Sequence, residues 1–295
     1  TPQERDFAQA VAKIAFGNPF LPERIEEERR ALGQAFEETG AVWSIRPDTG
    51  AEDRPNVERL MARILPLADS VRERLLAGRT GADEEYGLYE ELITFLLYRR
   101  YVPDFQKLIF DTLAGRSRSQ PVSFYTRFCK DVNHYLGLRG IQFQMPSATP
   151  HIFACFFHVR RTFHYIFDYI VGTSMAAAKL RAAIWQSSFT YDQRRYRDIF
   201  YDRMGDFTTL ITGPSGTGKE LVARAIGMSR YIPFDPETRT FTEDFALQFH
   251  TINLSALSPT LIESELFGHK RGSFTGAVTD RAGWLEACNP LGTVF

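Results

Sequence analysis

The segment Gly213–Glu220, GPSGTGKE, constrains this 295-residue chain more than any other. It lies between a short β-branched apolar run, Phe207–Thr212, and a stretch of helical spacing, Leu221–Met228. That order predicts a buried strand, a glycine-rich turn and a helix. Gly213, Gly216 and Gly218 let the backbone approach a ligand with no Cβ in the way. The loop around Pro214, Ser215 and Thr217 and the positive end of the helix dipole then face an anion, to which Lys219 adds a full charge. Such a unit cradles nucleotide phosphates. An ordinary glycine turn is the competing reading, and it leaves the lysine and the flanking elements unexplained. The general pattern continues with Ser or Thr, whose hydroxyl binds Mg²⁺. Here Glu220 follows Lys219, so a carboxylate becomes the candidate metal ligand, directly or through water.

A second segment, Leu261–Ala277, reads LIESELFGHKRGSFTGA. With GPSGTGKE it closely resembles the central AAA+ ATPase domain of bacterial sigma-54-dependent transcriptional activators, the enhancer-binding proteins. Their diagnostic hexapeptide is GAFTGA. Gly272, Ser273, Phe274, Thr275, Gly276 and Ala277 match it, with Ser273 in place of the alanine. A glutamate after the phosphate-loop lysine is normal in that family. The resemblance covers Val171 to Phe295 and implies an α/β AAA+ module, a three-layer αβα fold on a parallel sheet. It also implies ATP and Mg²⁺ as cofactors, and a homo-oligomeric ring, a hexamer, in which each site is completed by the neighbouring subunit. Phe274 and Thr275 would press on sigma-54 in the RNA polymerase holoenzyme and remodel its closed promoter complex into an open one.

Three further stretches resemble the same family. Gly172-Thr173-Ser174 is similar to the Gly-x-Ser start of the module, which flanks the adenine. Asn253, ending the expected strand Phe249–Asn253, matches the asparagine that switches the Walker B glutamate, although a turn-capping asparagine at a strand end is the other reading. Gly292–Phe295 resembles the opening of the strand that carries the Walker B acidic pair. That pair, the sensor residues, the arginine finger, the helical lid and a DNA-contacting helix-turn-helix are not in the sequence. With Thr1 in place of Met at the start, the chain is expected to be a fragment of a longer protein, one that binds ATP weakly and does not turn it over. Arg230–Leu247 is expected to be an insertion ahead of the Phe249 strand.

Composition narrows the class. A hydrophobic content of 44% and a charged content of 24% suit a globular chain of about two domains. The net charge of −1 provides no global basic field for nucleic acid. No signal peptide and no uncharged apolar run of membrane length is found; the nearest, Ile152–Val171, contains Arg160 and Arg161. Cys129, Cys155 and Cys288 are few, odd in number and widely spaced, as reduced cytosolic thiols would be. A cytoplasmic protein is expected.

Residues 1–165 match no recognised motif and read as a mainly α regulatory or sensory domain, ahead of the incomplete module at 166–295. Pro22 followed by ERIEEERRALGQAFEETG predicts a helix with proline in its first turn and Gly40 just past its end, and Pro55–Ala77 a helix interrupted at Pro66. Glu84–Tyr101 predicts another, acidic at its start and basic at its end. Ile152, Phe156, Phe163, Phe167 and Ile170 form one apolar helical face, while His158, Arg161, Tyr165 and Asp168 fall on another. A core helix is the leading reading, with a ligand pocket or partner surface as the alternative. Cys155 and His158, one turn apart, lack the second pair that a metal site needs. For the whole chain the competing function is a nucleotide-gated binding module that remodels nothing.

Overall fold

The fold, taken from a computed structural model, is described for residues 1–38, 55–78, 83–116, 120–247, 249–274, 277–288 and 292–295. Helix α1 (Pro2–Phe16) starts on a capping box between Thr1 and Glu4 and turns Phe7, Val11 and Ile14 inward. Helix α2 (Glu23–Leu32) places Glu23 and Glu26 in its first turn and Arg29 and Arg30 in its last, with the helix dipole. It stops at Gly33, whose φ of +55° ends the helix earlier than the sequence suggested. Gly40 lies outside the described residues.

Helix α3 (Pro55–Leu76) runs unbroken through Pro66, and α4 (Asp83–Leu113) runs past Tyr101 and through Pro103. A proline inside a helix costs about 3 kcal/mol. Leu60, Ile64 and Ala68 are buried on both sides of Pro66, as are Tyr101, Phe105 and Ile109 around Pro103. Burying each large apolar side chain contributes roughly 1.5–3 kcal/mol. Packing therefore overrides the expected interruption.

Helices α5 (Tyr125–Leu136), the single turn α6 (Gln144–Ser147) and α7 (Thr149–Tyr169) complete the core around α4. The α7 stripe of Ile152, Phe156, Phe163 and Phe167 is buried as its spacing predicts. His158, Arg161 and Tyr165 on the second face are buried too, and only Asp168 of that set is exposed. A helix covered all round belongs in the interior. Aromatic rings lock it there: Phe105 lies 4.9 Å from Phe153, and Phe128 lies 5.1 Å from Phe153. Position 165, where the sequence suggested a domain boundary, falls inside α7.

Helix α8 (Met175–Phe189) is capped by Ser174, whose hydroxyl accepts from the Ala177 N–H at 3.2 Å. After the single turn α9 (Gln193–Arg195) the chain reaches Phe207–Thr212. The strand expected there is not formed. Leu210 is 86% exposed, and the segment pairs with no described strand. Backbone groups without a neighbouring ladder are satisfied by water, so β-branched composition alone does not make a strand.

Helix α10 (Lys219–Gly227) follows, then an antiparallel pair, β1 (Phe234–Asp235) with β2 (Thr240–Phe241). The segment read as an insertion is thus a hairpin, and it docks on the helical part. Phe234 lies 4.6 Å from Tyr125, Phe241 lies 4.2 Å from Phe157, and the Val122 N–H donates to the Arg239 carbonyl at 2.8 Å. Strand β3 (Phe249–His250), helix α11 (Pro259–Phe267), the antiparallel pair β4 (Gly268–His269) and β5 (Arg281–Ala282), the turn α12 (Trp284–Ala287) and β6 (Thr293–Val294) end the chain. The β3 and β6 strands are parallel, with Phe249 opposite Thr293. Among the described residues no helix is long and apolar enough to cross a membrane.

Candidate nucleotide-phosphate site

Gly213–Lys219 forms an exposed loop that leads into α10. Gly216 and Gly218 take φ of +78° and +83°, conformations in which a side chain would be strained. Gly218 occupies the N-cap and brings no side chain to cap the first turn of α10. The amide end of that helix is thereby left open to an anion, with the dipole behind it. Lys219 stands at the first helical position. Its Nζ donates to the carbonyls of Gly213 and Pro214 at 3.0 and 2.8 Å, while the Thr217 hydroxyl donates to the same Pro214 carbonyl at 2.8 Å. The lysine thus reaches across the loop to its far wall. An anion seated inside would meet the ammonium and the helix end together.

Glu220 points elsewhere. Its Oε1 accepts from Nε and Nη2 of Arg224 at 3.1 and 2.9 Å, an exposed pair one turn along α10. Among the described residues no group of three or more His, Cys, Asp or Glu side chains gathers as a metal site. The Cys155 thiol faces His151, 3.5 Å from its Nε2, whereas His158 Nδ1 shares a 2.5 Å hydrogen bond with the Tyr196 hydroxyl. The one-turn pair read from the sequence is therefore split between two partners.

Behind the loop, α10 packs against α7 and α8, with Ala223, Ala225 and Gly227 buried. Gly227 lies against the β3–β6 pair so closely that an added Cβ would sit 2.7 Å from Phe249 and 2.9 Å from Thr293. A cleft of about 610 Å³ separates Thr208–Ile211 from Thr293–Phe295 and runs along Ile226. Across it, the Phe207–Thr212 segment lies apart from the β3–β6 pair.

The second motif lies between β4 and β5. Gly272 has φ of +83°, and its N–H donates to the Ala277 carbonyl at 2.8 Å, closing the hexapeptide on itself. The Ser273 hydroxyl donates to the Lys270 carbonyl at 2.8 Å. Phe274 is 42% exposed and stands 5.0 Å from the His269 ring. Ala277 is buried beneath the turn. Asp280 holds the base of the loop, accepting from the Arg271 N–H at 2.7 Å and from Lys270 at 3.1 Å. These bonds to Asp280 hold its carboxyl below the usual range. Thr275 and Gly276 lie outside the described residues.

Asn253 follows β3. Its Oδ1 accepts from the N–H and hydroxyl of Ser255 at 3.1 and 2.7 Å, the local bonding of a turn asparagine. Gly172 and Ser174 precede α8, and the Gly172 carbonyl accepts from Arg181.

Sequence reasoning missed the bridge between α10 and the helical core. The buried Arg161 guanidinium donates to the Arg230 carbonyl just after α10 and lies 5.2 Å from the Phe245 ring. Burial pushes Arg161 down to about 10. Tyr231 donates or accepts at His151 Nδ1 over 2.8 Å. One local signal was available: Asp235-Pro236-Glu237-Thr238 is a turn sequence, and Asp235 indeed accepts from the Glu237 N–H at 2.9 Å.

Residues 193–295 match the family model described as the Sigma-54 interaction domain. The chain is 37% identical over 140 residues to the DNA-binding transcriptional regulator NtrC of Bradyrhizobium sp. (strain RP501 Parasponia), covering 43% of this chain and 26% of that protein. It is 36% identical over 131 residues to the Nif-specific regulatory protein of Herbaspirillum seropedicae, covering 44% of this chain and 19% of the relative. The Sigma54-dependent transcriptional activator SfnR of Pseudomonas putida is 43% identical over 88 residues, covering 30% of this chain and 20% of the relative. The aligned part thus spans between 19% and 26% of these relatives. No solved structure is significantly similar to this one.

Proposed function

We infer, from a chain that belongs to the sigma-54-dependent activator family through residues 193–295, that the protein is part of an ATP-driven transcriptional activator. The observation that carries this reading is the loop Gly213–Lys219 at the open N-terminus of α10, in one chain with the exposed hexapeptide turn between β4 and β5. In this proposal Gly213, Pro214, Ser215, Gly216, Thr217, Gly218 and Lys219 hold the β- and γ-phosphates of ATP. Lys219 exchanges its two carbonyl partners for phosphate oxygens. Glu220 serves Mg²⁺ only after leaving Arg224, directly or through water. The β3–β6 pair would belong to the parallel sheet of a three-layer αβα module.

The whole protein would hydrolyse ATP as a homo-oligomeric ring, a hexamer, in the cytoplasm, and contact DNA through a further domain. The γ-phosphate would hold one position of the β4–β5 loop and its loss another, a nucleotide switch of an ordinary kind. Phe274 and Thr275 would deliver that movement to sigma-54 and open the promoter complex. Asn253 would act as the glutamate switch by giving up its bonds to Ser255. Residues 1–165 would regulate the motor. A finger arginine supplied by a neighbouring subunit, worth about 10³–10⁵ in rate, would make turnover depend on ring assembly.

The test uses the full-length protein. Phe274→Ala and Thr275→Ala should leave ATP binding nearly unchanged and abolish sigma-54 engagement in the presence of an ATP transition-state analogue. Normal engagement by both variants, or loss of ATP affinity, would refute the role given to the loop. A nucleotide-gated module that remodels nothing would engage sigma-54 in neither wild type nor variant.

A further inference from the structure

A cavity of about 90 Å³ lies inside the helical part, where α1, α4, α7 and α8 converge. Holding one water takes roughly 10–15 Å³ by this measure, so the cavity has room for a compact molecule of about six to nine heavy atoms. Phe95, Phe163 and Trp185 give it flat apolar walls. Gln193, Tyr196 and Arg197, from the segment that follows α8, line it as well. That segment is fastened to the helices around it. Gln193 donates to the Gly17 carbonyl at 3.0 Å, the Tyr196 hydroxyl shares a 2.5 Å hydrogen bond with His158, and the Arg197 carbonyl accepts from His151 at 2.7 Å.

Four arginines line the cavity, and all of them are engaged. Arg24 pairs with Glu28 at 2.6 Å and Arg197 with Asp198 at 2.6 Å, while Arg99 and Arg160 have partners of their own. The Thr94 hydroxyl is engaged too, donating to the Glu90 carbonyl at 2.8 Å. The wall therefore offers no free cation to a guest. An ionised molecule entering it would give up its hydration without gaining a free counter-charge, which is costly, and a neutral molecule avoids that cost.

Trp185 differs from these groups. It is 1% exposed, and its single polar atom, the Nε1–H donor, has no hydrogen-bond partner among the described residues. Its ring packs 4.7 Å from Phe163 and 4.5 Å from Phe189, so the indole presents an edge to the cavity. Buried donors are normally satisfied by protein, water or a bound molecule. Trp185 can only donate, so the atom that completes it must be an acceptor.

We propose that this cavity binds a small uncharged ring compound carrying a carbonyl oxygen, that oxygen accepting from Trp185 Nε1 and the apolar body lying against Phe95 and Phe163. A rigid ring suits the enclosure because few rotors are frozen on entry. A pure hydrocarbon of the same shape would fill the space and leave the Trp185 donor unmade. A carboxylate of the same shape would bring a charge that the wall does not call for. The site is separate from the Gly213–Lys219 loop, and its occupancy does not depend on what that loop binds.

Acetophenone serves as the probe, with isopropenylbenzene and benzoate as counterparts of the same shape, one without the acceptor and one charged. Calorimetric titration into the 295-residue protein should give saturable binding of acetophenone. Isopropenylbenzene should bind about threefold or more weaker, as loss of one neutral hydrogen bond predicts. Benzoate should bind weaker still, since its charge must be desolvated. Trp185→Phe removes the donor, keeps an aromatic ring, and should bring acetophenone down to the level of isopropenylbenzene. Ala15 also lines the cavity, and Ala15→Leu should fill it and abolish binding of both. The variants are compared at equal helicity by circular dichroism, and Ala15→Leu alone suffices should Trp185→Phe fail to fold. Absence of acetophenone binding at millimolar concentration would overturn the assignment. So would equal or tighter binding of isopropenylbenzene or benzoate, or unchanged acetophenone affinity in either folded variant.

Discussion

Replacing Gly227 with alanine tests whether α10 is seated on the parallel pair as closely as described. Gly227 ends α10, is buried, and has an ordinary helical backbone, so the substitution introduces no torsional strain. The new methyl would lie 2.7 and 3.0 Å from two ring carbons of Phe249 and 2.9 Å from the Thr293 methyl. None of these is a flexible chain end: one is an aromatic ring and the other a β-branched side chain facing it in register. Overpacking of this kind costs about 1–3 kcal/mol. Against it stands the helix preference of alanine over glycine, up to about 1 kcal/mol in a helix interior and less at a last turn. The net expectation is a destabilisation of roughly 0.5–2 kcal/mol from these two effects. At about 2–4 °C per kcal/mol, this appears as a fall in Tm of a few degrees. Gly227→Val adds volume at a β-branched residue and should fall further. Urea midpoints measured for wild type, Ala and Val check the order. If Gly227→Ala is as stable as wild type or more so, α10 does not rest on Phe249 and Thr293, and the packing behind the loop is misassigned.

Burial, with the nearby Arg161 charge adding to it, holds His158 well below the ordinary histidine value of 6.5, and burial lowers His151 as well. Both are therefore neutral when folded and protonate more readily when unfolded, so stability is fully present above pH 6.5 and declines as the pH falls below it. Chemical denaturation between pH 7.5 and 5 should show that decline, with a shallower slope in His158→Asn; a flat profile for the wild type would contradict the buried neutral imidazole. Gly268 has φ of +76°, and a Cβ there would lie 2.6 Å from the Gly283 nitrogen and closer still to the Arg281 carbonyl. Gly268→Ala should open the β4–β5 pair and admit protease cleavage within residues 268–283, and an unchanged digestion pattern would show that the pair is not held there.

Much of the helical part was legible because periodic burial is local information. The α7 stripe from Ile152 to Phe167 announced a core helix, and the acidic-to-basic gradient of Glu84–Tyr101 located most of α4. Pro66 misled, since the burial that flanks it exists only in the folded core. The turn at Gly213–Gly218 was legible for another reason: its glycines are demanded by backbone conformation, and Gly216 and Gly218 adopt the left-handed values they permit. Phe207–Thr212 was misread because a strand is a pairing and not a property of its own residues. Its neighbour across the cleft, Thr293–Phe295, lies more than eighty positions along the sequence. The docking of Phe234, Phe241 and Phe245 on α5 and α7 escaped for the same cause, since nothing near those aromatics names the partners they meet. Asn253 shows the opposite case: residue type gave two roles, and its bonds to Ser255 display the local one.

The central claim is that Gly213–Lys219 receives nucleotide phosphates, and calorimetric titration of ATP against wild type and Lys219→Ala tests it most directly. Lys219 is partly exposed, and among the described residues its ammonium bonds to the carbonyls of its own loop, so its removal leaves the packing of α10 intact. A charge-assisted hydrogen bond to phosphate contributes about 1.5–3 kcal/mol. At about 1.4 kcal/mol per decade, ATP affinity should fall at least roughly tenfold. Circular dichroism should be unchanged. Equal ATP affinity in the two proteins would contradict the phosphate-site assignment and, with it, the ATP-driven function built upon it.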